Sequence, residues 1–191
     1  QDRRVRVGLG PNDGLDLNTL IRMTPITRAD LQRQGEAAFA TPPAEHGAVQ
    51  ITQTSGSSGE PVRVARTALS HQYWMAYGLR EHRWFQRDVT QSLFVVRANL
   101  PKRFIAQDSW GPPVSLLAQT GPGYAASLSL STAELAGLVA ELKPAYLLLY
   151  PSVLQDLLRQ FKARGDRPSG LLQVRSMGET LPPDLRQAVQ D

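Results

Sequence analysis

The last sixty residues carry the pattern that most constrains the fold, a regular alternation of helix and strand signals. Ser131 and Glu134 form a capping box that opens the first of these helices, and Pro144 stops it. In chain order the predicted elements are a helix from 132 to 141 or 142, a strand at 146–149, a helix from 151, a strand at 171–177 and a helix from 183. Strands that are joined through helices pair in parallel. We therefore predict an α/β fold with a mostly parallel sheet flanked by helices.

The residues before 131 also show helix and strand signals, but these are weaker. Thr27 and Asp30 form a second capping box, for a helix through Gln34. The other predicted elements are a loosely structured lead-in at 1–22, strands at 49–52 and 62–64, a helix at 70–87, a buried strand at 93–96 and a mostly irregular segment at 99–124. Five aromatic residues of the 70–87 helix fall within an arc of about 120°: Tyr73, Trp74, Tyr77, Trp84 and Phe85. We interpret this arc as a core face rather than as a platform for stacking bases.

Composition excludes several classes of protein. The 191 residues are 41% hydrophobic and 20% charged, as in globular domains, and they include no cysteine, so disulfides and thiolate metal sites are excluded. The three histidines lie far apart, and the net charge of +4 is spread along the chain, so neither a zinc site nor a nucleic-acid partner is expected. There is no apolar run of about 18 residues and no signal-peptide core at the start. We expect a cytoplasmic protein without a membrane partner.

A loop of small polar residues between two predicted strands is the most informative local feature. It reads Thr54-Ser55-Gly56-Ser57-Ser58-Gly59-Glu60-Pro61. Its glycines let the backbone approach a bulky anion, while hydroxyl and amide groups donate to the oxygens of that anion. The spacing does not match a Walker A loop. From the residues alone, an anion-binding loop and a flexible polar hairpin loop are equally good readings.

This loop resembles the phosphate-binding loop of the adenylate-forming superfamily, which contains acyl-CoA ligases, adenylation domains and luciferases. Residues 23–31, 142–154 and 176–185 are similar, in order and spacing, to segments of the phenylacetate-CoA ligase-like branch and its capsule-biosynthesis relatives. The first segment contains Met-Thr-Pro followed by a Thr-x-x-Asp-Leu pattern. The second contains Lys-Pro followed by Pro-Ser, and the third contains a Gly-Glu turn. The resemblance covers roughly residues 23–191.

The resemblance implies a function and a set of site residues. It implies that ATP and magnesium activate a small carboxylic acid as an acyl-adenylate, with coenzyme A as the acceptor that then forms the thioester. The residues that would hold the β- and γ-phosphates of ATP are Thr54, Ser55, Gly56, Ser57, Ser58 and Gly59. Candidates for the border of the nucleotide and acyl pocket are Trp110, Tyr150, Met177, Gly178 and Glu179. No catalytic residue and no protein ligand of a metal is assigned.

The chain also departs from the family pattern. The family's Tyr-Gly-x-Thr-Glu motif, ribose-binding aspartate and catalytic lysine follow this region in its members and are not found here, and Met177 replaces a small residue. We therefore interpret residues 1–191 as the N-terminal portion of an AMP-binding domain, without its C-terminal part and its small lid domain. On this interpretation the 191 residues alone form no acyl-adenylate. The alternative is a non-catalytic remnant of the same fold that serves in binding or assembly.

Overall fold

The computed structural model describes residues 7–10, 13–35, 41–53 and 61–190 of the chain. The proposed phosphate loop, residues 54–60, lies outside these ranges. None of the described helices is long and apolar enough to cross a lipid bilayer.

The chain forms two compact units, residues 1–71 and 72–191. The elements that begin in the first unit are α1 (Leu17–Arg22), α2 (Arg28–Gln34), a 3-10 helix (Ala44–His46), β1 (Val49–Gln53), β2 (Arg63–Thr67) and α3 (Ala68–Trp84). Helix α3 crosses the boundary between the units. The capping box of Thr27 and Asp30 is present, and β1 pairs with β2 as an antiparallel hairpin. Helix α1, inside the predicted lead-in, was not predicted, and Asp16 caps it by accepting from the Thr19 amide.

The second unit is built on one five-stranded sheet of order β4-β5-β3-β6-β7. Its elements are β3 (Leu93–Arg97), β4 (Phe104–Gln107), a 3-10 helix (Val114–Leu116), β5 (Gly123–Ser127), α4 (Thr132–Leu142), β6 (Tyr146–Leu149), α5 (Pro151–Arg164), β7 (Gln173–Ser176) and α6 (Pro183–Gln190). Strands β5, β3, β6 and β7 are parallel, and β4 is an antiparallel edge strand beside β5. The prediction of a mostly parallel sheet flanked by helices is confirmed.

One face of this sheet carries the main hydrophobic core. Side chains at alternate positions of the strands point to this face, as strand geometry requires, and Phe94 and Val96 of β3 are almost completely buried there. Helices α4, α5 and α6 cover the face and contribute the buried side chains of Leu135, Leu157 and Leu185 among others. Burial of these apolar groups is the dominant stabilising term of the unit.

The opposite face carries a smaller apolar cluster around Leu93 and Tyr146 and, beside it, a group of charged side chains. Gln173 and Arg175 of β7 point to it, because Val174 between them packs in the core. Glu81 of α3 accepts hydrogen bonds from Arg87 and Arg175, at 3.0 and 2.6 Å, and the Arg87 Nε donates to Gln173 at 2.5 Å. The Arg87 side chain is only 2% exposed. The end of α3 is thus tied to β7 by ionic hydrogen bonds.

One sequence expectation is corrected here. The five aromatic residues of the expected core face on α3 are between 52% and 68% exposed in the chain, so the periodicity identified the helix but not its buried face. Arg80 stacks on two of them, with its guanidinium carbon 4.9 Å from the Tyr77 ring centroid and 4.5 Å from that of Trp84. The segment 99–124 is mostly irregular, as expected, although it also contains β4 and the start of β5, which were not predicted.

Candidate functional site

The topology of the second unit marks one crevice at the edge of its sheet. From β3 the chain proceeds to β4 and β5 on one side of that strand, whereas from β6 it proceeds to β7 on the other side. The connections that leave the adjacent strands β3 and β6 therefore diverge at their carboxyl ends. Open α/β sheets bind ligands in the crevice beside such a switch point. By this rule we place the candidate crevice between the carboxyl ends of β3 and β6, where β3 ends at Arg97 and Tyr150 follows β6.

The turn after β7 lies directly beside this crevice. The Met177 amide donates to the Leu149 carbonyl oxygen at 3.0 Å and so fixes the turn to the end of β6. Gly178 follows with φ of +76°, a conformation that glycine adopts without strain. A Cβ atom at Gly178 would lie 2.8 Å from Cε1 of Tyr150, so the tyrosine ring rests on the glycine backbone.

Glu179 completes the turn by capping a helix. Helix α5 begins with Pro151, which has no amide hydrogen, so Ser152 carries the first amide that needs an acceptor. One oxygen of the Glu179 carboxylate accepts from the Ser152 amide and the other from the Ser152 hydroxyl, both at 2.9 Å. A carboxylate at the N-terminus of a helix also interacts favourably with the helix dipole. Glu179 thus joins the turn after β7 to the first turn of α5.

The structure brings together four of the five predicted pocket residues but not the fifth. Tyr150, Met177, Gly178 and Glu179 meet at the carboxyl edge of the sheet. Trp110 lies at the opposite edge, where its ring centroid is 5.5 Å from that of Tyr146, the first residue of β6. Its indole N–H donates to the Gln91 carbonyl oxygen at 2.8 Å. The role of the five residues in ligand binding stays a prediction, as does that of Thr54–Gly59, which lies outside the described residues.

The ionic cluster near Trp110 was not found from the sequence. It brings Glu81 and Arg175 together across 94 residues, a separation that no local pattern reveals. His82 lies in it with its ring centroid 5.4 Å from that of Trp110. Burial, together with the positive charges of Arg175 and Arg87, lowers the pKa of His82 to about 4, so the imidazole is neutral at pH 7. The pKa of Glu81 is lowered, because the two arginines outweigh the effect of its burial, which would raise it.

Arg97 is a second residue that the sequence reasoning missed. It ends the central strand β3 and is exposed at the crevice. The available signal was a single charged residue directly after a strongly apolar strand. Within the part of the chain that the structure describes, three or more histidines and carboxylates nowhere gather as the ligands of a metal ion would.

The fold is shared with several solved structures. A structure of 2-hydroxyisobutyryl-CoA ligase in the postadenylation state, in complex with R3-HIB-AMP, matches 99% of this chain with a TM-score of 0.62 and 16% identity. An open conformation of that ligase in complex with 2-HIB-AMP and CoA also matches 99%, with a TM-score of 0.63 and 17% identity. An AMP-forming acyl-CoA synthetase-like protein from Dyadobacter fermentans matches 76%, with a TM-score of 0.50 and 16% identity.

The matches cover only part of those proteins. This chain spans 41%, 46% and 38% of the three matched chains, respectively. No protein-family model matches the sequence. Comparison with curated proteins likewise gives no match. At this level of identity the likeness establishes the fold alone. The chain therefore has the same fold as part of 2-hydroxyisobutyryl-CoA ligase.

Proposed function

We propose that the chain is the N-terminal portion of an AMP-binding domain in an ATP-dependent ligase that activates a small carboxylic acid as an acyl-adenylate. The observation that carries the proposal is the turn Met177–Glu179, which is fixed to Tyr150 and to α5 beside the crevice of the sheet. Solved ligases of this fold are complexed with acyl-adenylates, which supports that chemistry. On this proposal Tyr150, Met177 and Gly178 border the nucleotide and acyl pocket, and Glu179 holds the turn in place.

The loop Thr54–Gly59 supplies the second part of the proposal. In adenylation, a carboxylate oxygen attacks the α-phosphorus of ATP, the bond from that phosphorus to the bridging oxygen of the β-phosphate breaks, and pyrophosphate leaves with the electron pair. Hydroxyl and amide donors around the β- and γ-phosphates stabilise the charge that develops on this leaving group. The loop has four hydroxyls and two glycines in six residues, which is the composition such a role requires.

The finer assignments rest on the sequence resemblance. They are a phenylacetate-CoA ligase-like specificity and coenzyme A as the acceptor. The sequence composition, rather than the resemblance, is the basis for proposing a cytoplasmic location without membrane or nucleic-acid partners. The described residues gather no group of three or more histidines and carboxylates, and we derive no step through the metal. Groups that bind adenine and ribose are missing from the motifs of this chain, so the 191 residues alone are proposed to form no acyl-adenylate.

The test is carboxylate-dependent exchange of labelled pyrophosphate into ATP. It is run with a panel of short aliphatic, aryl and long-chain acids on two proteins, the 191-residue chain and the longest natural chain that contains it. We expect exchange only in the longer protein, and only with some of the acids. Exchange by residues 1–191 would show that the missing groups are not needed. Absence of exchange in the longer protein with every acid would overturn the proposal and favour the non-catalytic alternative.

A further inference from the structure

A cavity on the charged face of the sheet provides a place for the acid that the sequence did not indicate. The middle strand of its floor, β5, presents Gly123 and Ala125 to this face. The neighbouring strands present larger side chains in the same two rows, with Val95 beside Ala125 on one flank and Ile105 on the other. Small residues between rows of larger ones leave a trough, an open cavity of about 190 Å³.

The two ends of this trough differ in chemistry. At the amino end, the chain at Ser109 and Trp110 passes close over β5, since a Cβ atom at Gly123 would lie 2.5 Å from the Ser109 carbonyl oxygen. At the other end the lining includes Arg97, the last residue of β3. The trough is thus closed by an aromatic residue at one end and opens at a guanidinium beside the crevice.

Arg97 is available to bind an anion. It is exposed, and the residues that the structure describes form no ion pair with it. Arg103, six residues later, differs in this respect, because its guanidinium donates to both carboxylate oxygens of Glu134, at 3.0 and 3.1 Å. Guanidinium groups bind carboxylates in a planar, bidentate manner. Charge complementarity therefore places a carboxylate at Arg97 and the apolar part of the same molecule in the trough.

We propose that this trough binds the hydrocarbon part of a short carboxylic acid while Arg97 holds its carboxylate at the crevice. The inference rests on the proposed function, and it specifies the substrate class of that site. The cavity accommodates about six non-hydrogen atoms if each takes roughly the 30 Å³ of a water molecule. The hydrocarbon part of the substrate accordingly has up to about six carbons. The chain of a fatty acid is too long to run from Arg97 to the end that Trp110 closes.

The experiment is a ligand titration of the 191-residue chain observed through its tryptophan indole N–H signals by NMR. The chain has three tryptophans, and only Trp110 lines the trough, so Trp74 and Trp84 are internal controls. Butyrate and hexanoate are expected to shift the Trp110 signal saturably, and dodecanoate is not. Butyramide, which lacks the charge, is expected to bind roughly tenfold more weakly, since a lost charged hydrogen bond has about that effect.

Variants distinguish binding of the acid in the trough from nonspecific binding elsewhere on the chain. Arg97→Gln is expected to reduce butyrate affinity about tenfold, whereas the matched Arg103→Gln leaves it unchanged. Ala125→Val fills the trough and is expected to abolish the Trp110 shift. Equal affinity for butyrate and butyramide, an unaffected Arg97→Gln variant or saturable binding of dodecanoate at Trp110 would overturn the inference. The titration contains no ATP, so it tests the trough separately from the adenylation reaction. If the acids do not bind at Trp110 but pyrophosphate exchange succeeds, the trough is not the acid site and the proposed function still stands.

Discussion

The two faces of the five-stranded sheet are built from different chemistry, although the same strands supply both. On the helix-covered face, Phe94 and Val96 are buried among aliphatic side chains from α4, α5 and α6. On the other face, Leu93 and Tyr146 form a smaller apolar cluster, and Val95 and Leu148 are only half-buried. Glu81, Arg87 and Arg175 make long-range ionic contacts there. A parallel sheet usually has two apolar faces. The difference teaches that one face provides most of the apolar stabilisation, while the other also retains the polar groups and the cavity that a binding site needs.

The largest expected effect is on the covered face. Phe94→Ala removes a side chain with no exposed surface and leaves a cavity, so the free energy of unfolding should fall by about 3–5 kcal/mol. Chemical denaturation measures this loss. The matched variant on the other face is Val95→Ala, which should lose about 1 kcal/mol because that side chain is only half-buried. Equal losses from the two variants would remove the distinction between the faces.

The next largest effect on stability comes from breaking the ionic cluster of Glu81, Arg87 and Arg175. Glu81→Gln leaves the almost fully buried guanidinium of Arg87 without a carboxylate, and an uncompensated buried charge costs about 2–4 kcal/mol. The control is Glu134→Gln, which removes the partner of the exposed Arg103 and should cost less than about 1 kcal/mol, apart from weakening the cap of α4. Thermal or chemical unfolding at pH 7 compares the two. A Glu81→Gln variant as stable as Glu134→Gln would show that the cluster is not energetically buried.

The smallest effect is a pH dependence caused by His82. Its pKa is about 4 in the folded chain and 6.5 in its ordinary state, so between these values the unfolded chain binds the extra proton. The stabilisation that neutral His82 gives the folded chain is therefore complete above pH 6.5 and is lost as the pH falls towards 4. After allowance for its partial exposure, we expect a loss of about 1–2 kcal/mol. His82→Gln should flatten the unfolding free energy between pH 7.5 and 5 relative to the wild type. Parallel curves for the two proteins would contradict this.

The sequence predicted the regular second unit well because its signals are local. The capping box of Ser131 and Glu134 and the apolar run at 146–149 each depend on residues within a few positions, and the structure places both elements as predicted. The prediction that the aromatic arc of α3 is a core face was wrong. Periodicity shows that one side of a helix is apolar, but it does not show whether other residues cover that side.

The candidate site could be predicted only where residues near in sequence form it. The turn Met177–Glu179 was identified by resemblance, whereas its bond to Ser152 spans 27 residues. The trough was missed entirely, since it depends on the register that sets Ala125 between Val95 and Ile105. Register depends on how the apolar patterns of neighbouring strands match, so no single segment determines it.

The most direct test of the account is the rate of carboxylate-dependent ATP–pyrophosphate exchange in the longest natural chain, with and without Ser57→Ala and Ser58→Ala together. Each lost donor should cost on the order of 1–4 kcal/mol of transition-state stabilisation, so the double variant should be slower by about thirtyfold or more. Ser169→Ala, at an exposed position of the connection between α5 and β7, is the matched control and should leave the rate unchanged. An unchanged rate in the double variant would contradict the role of the loop in carboxylate activation.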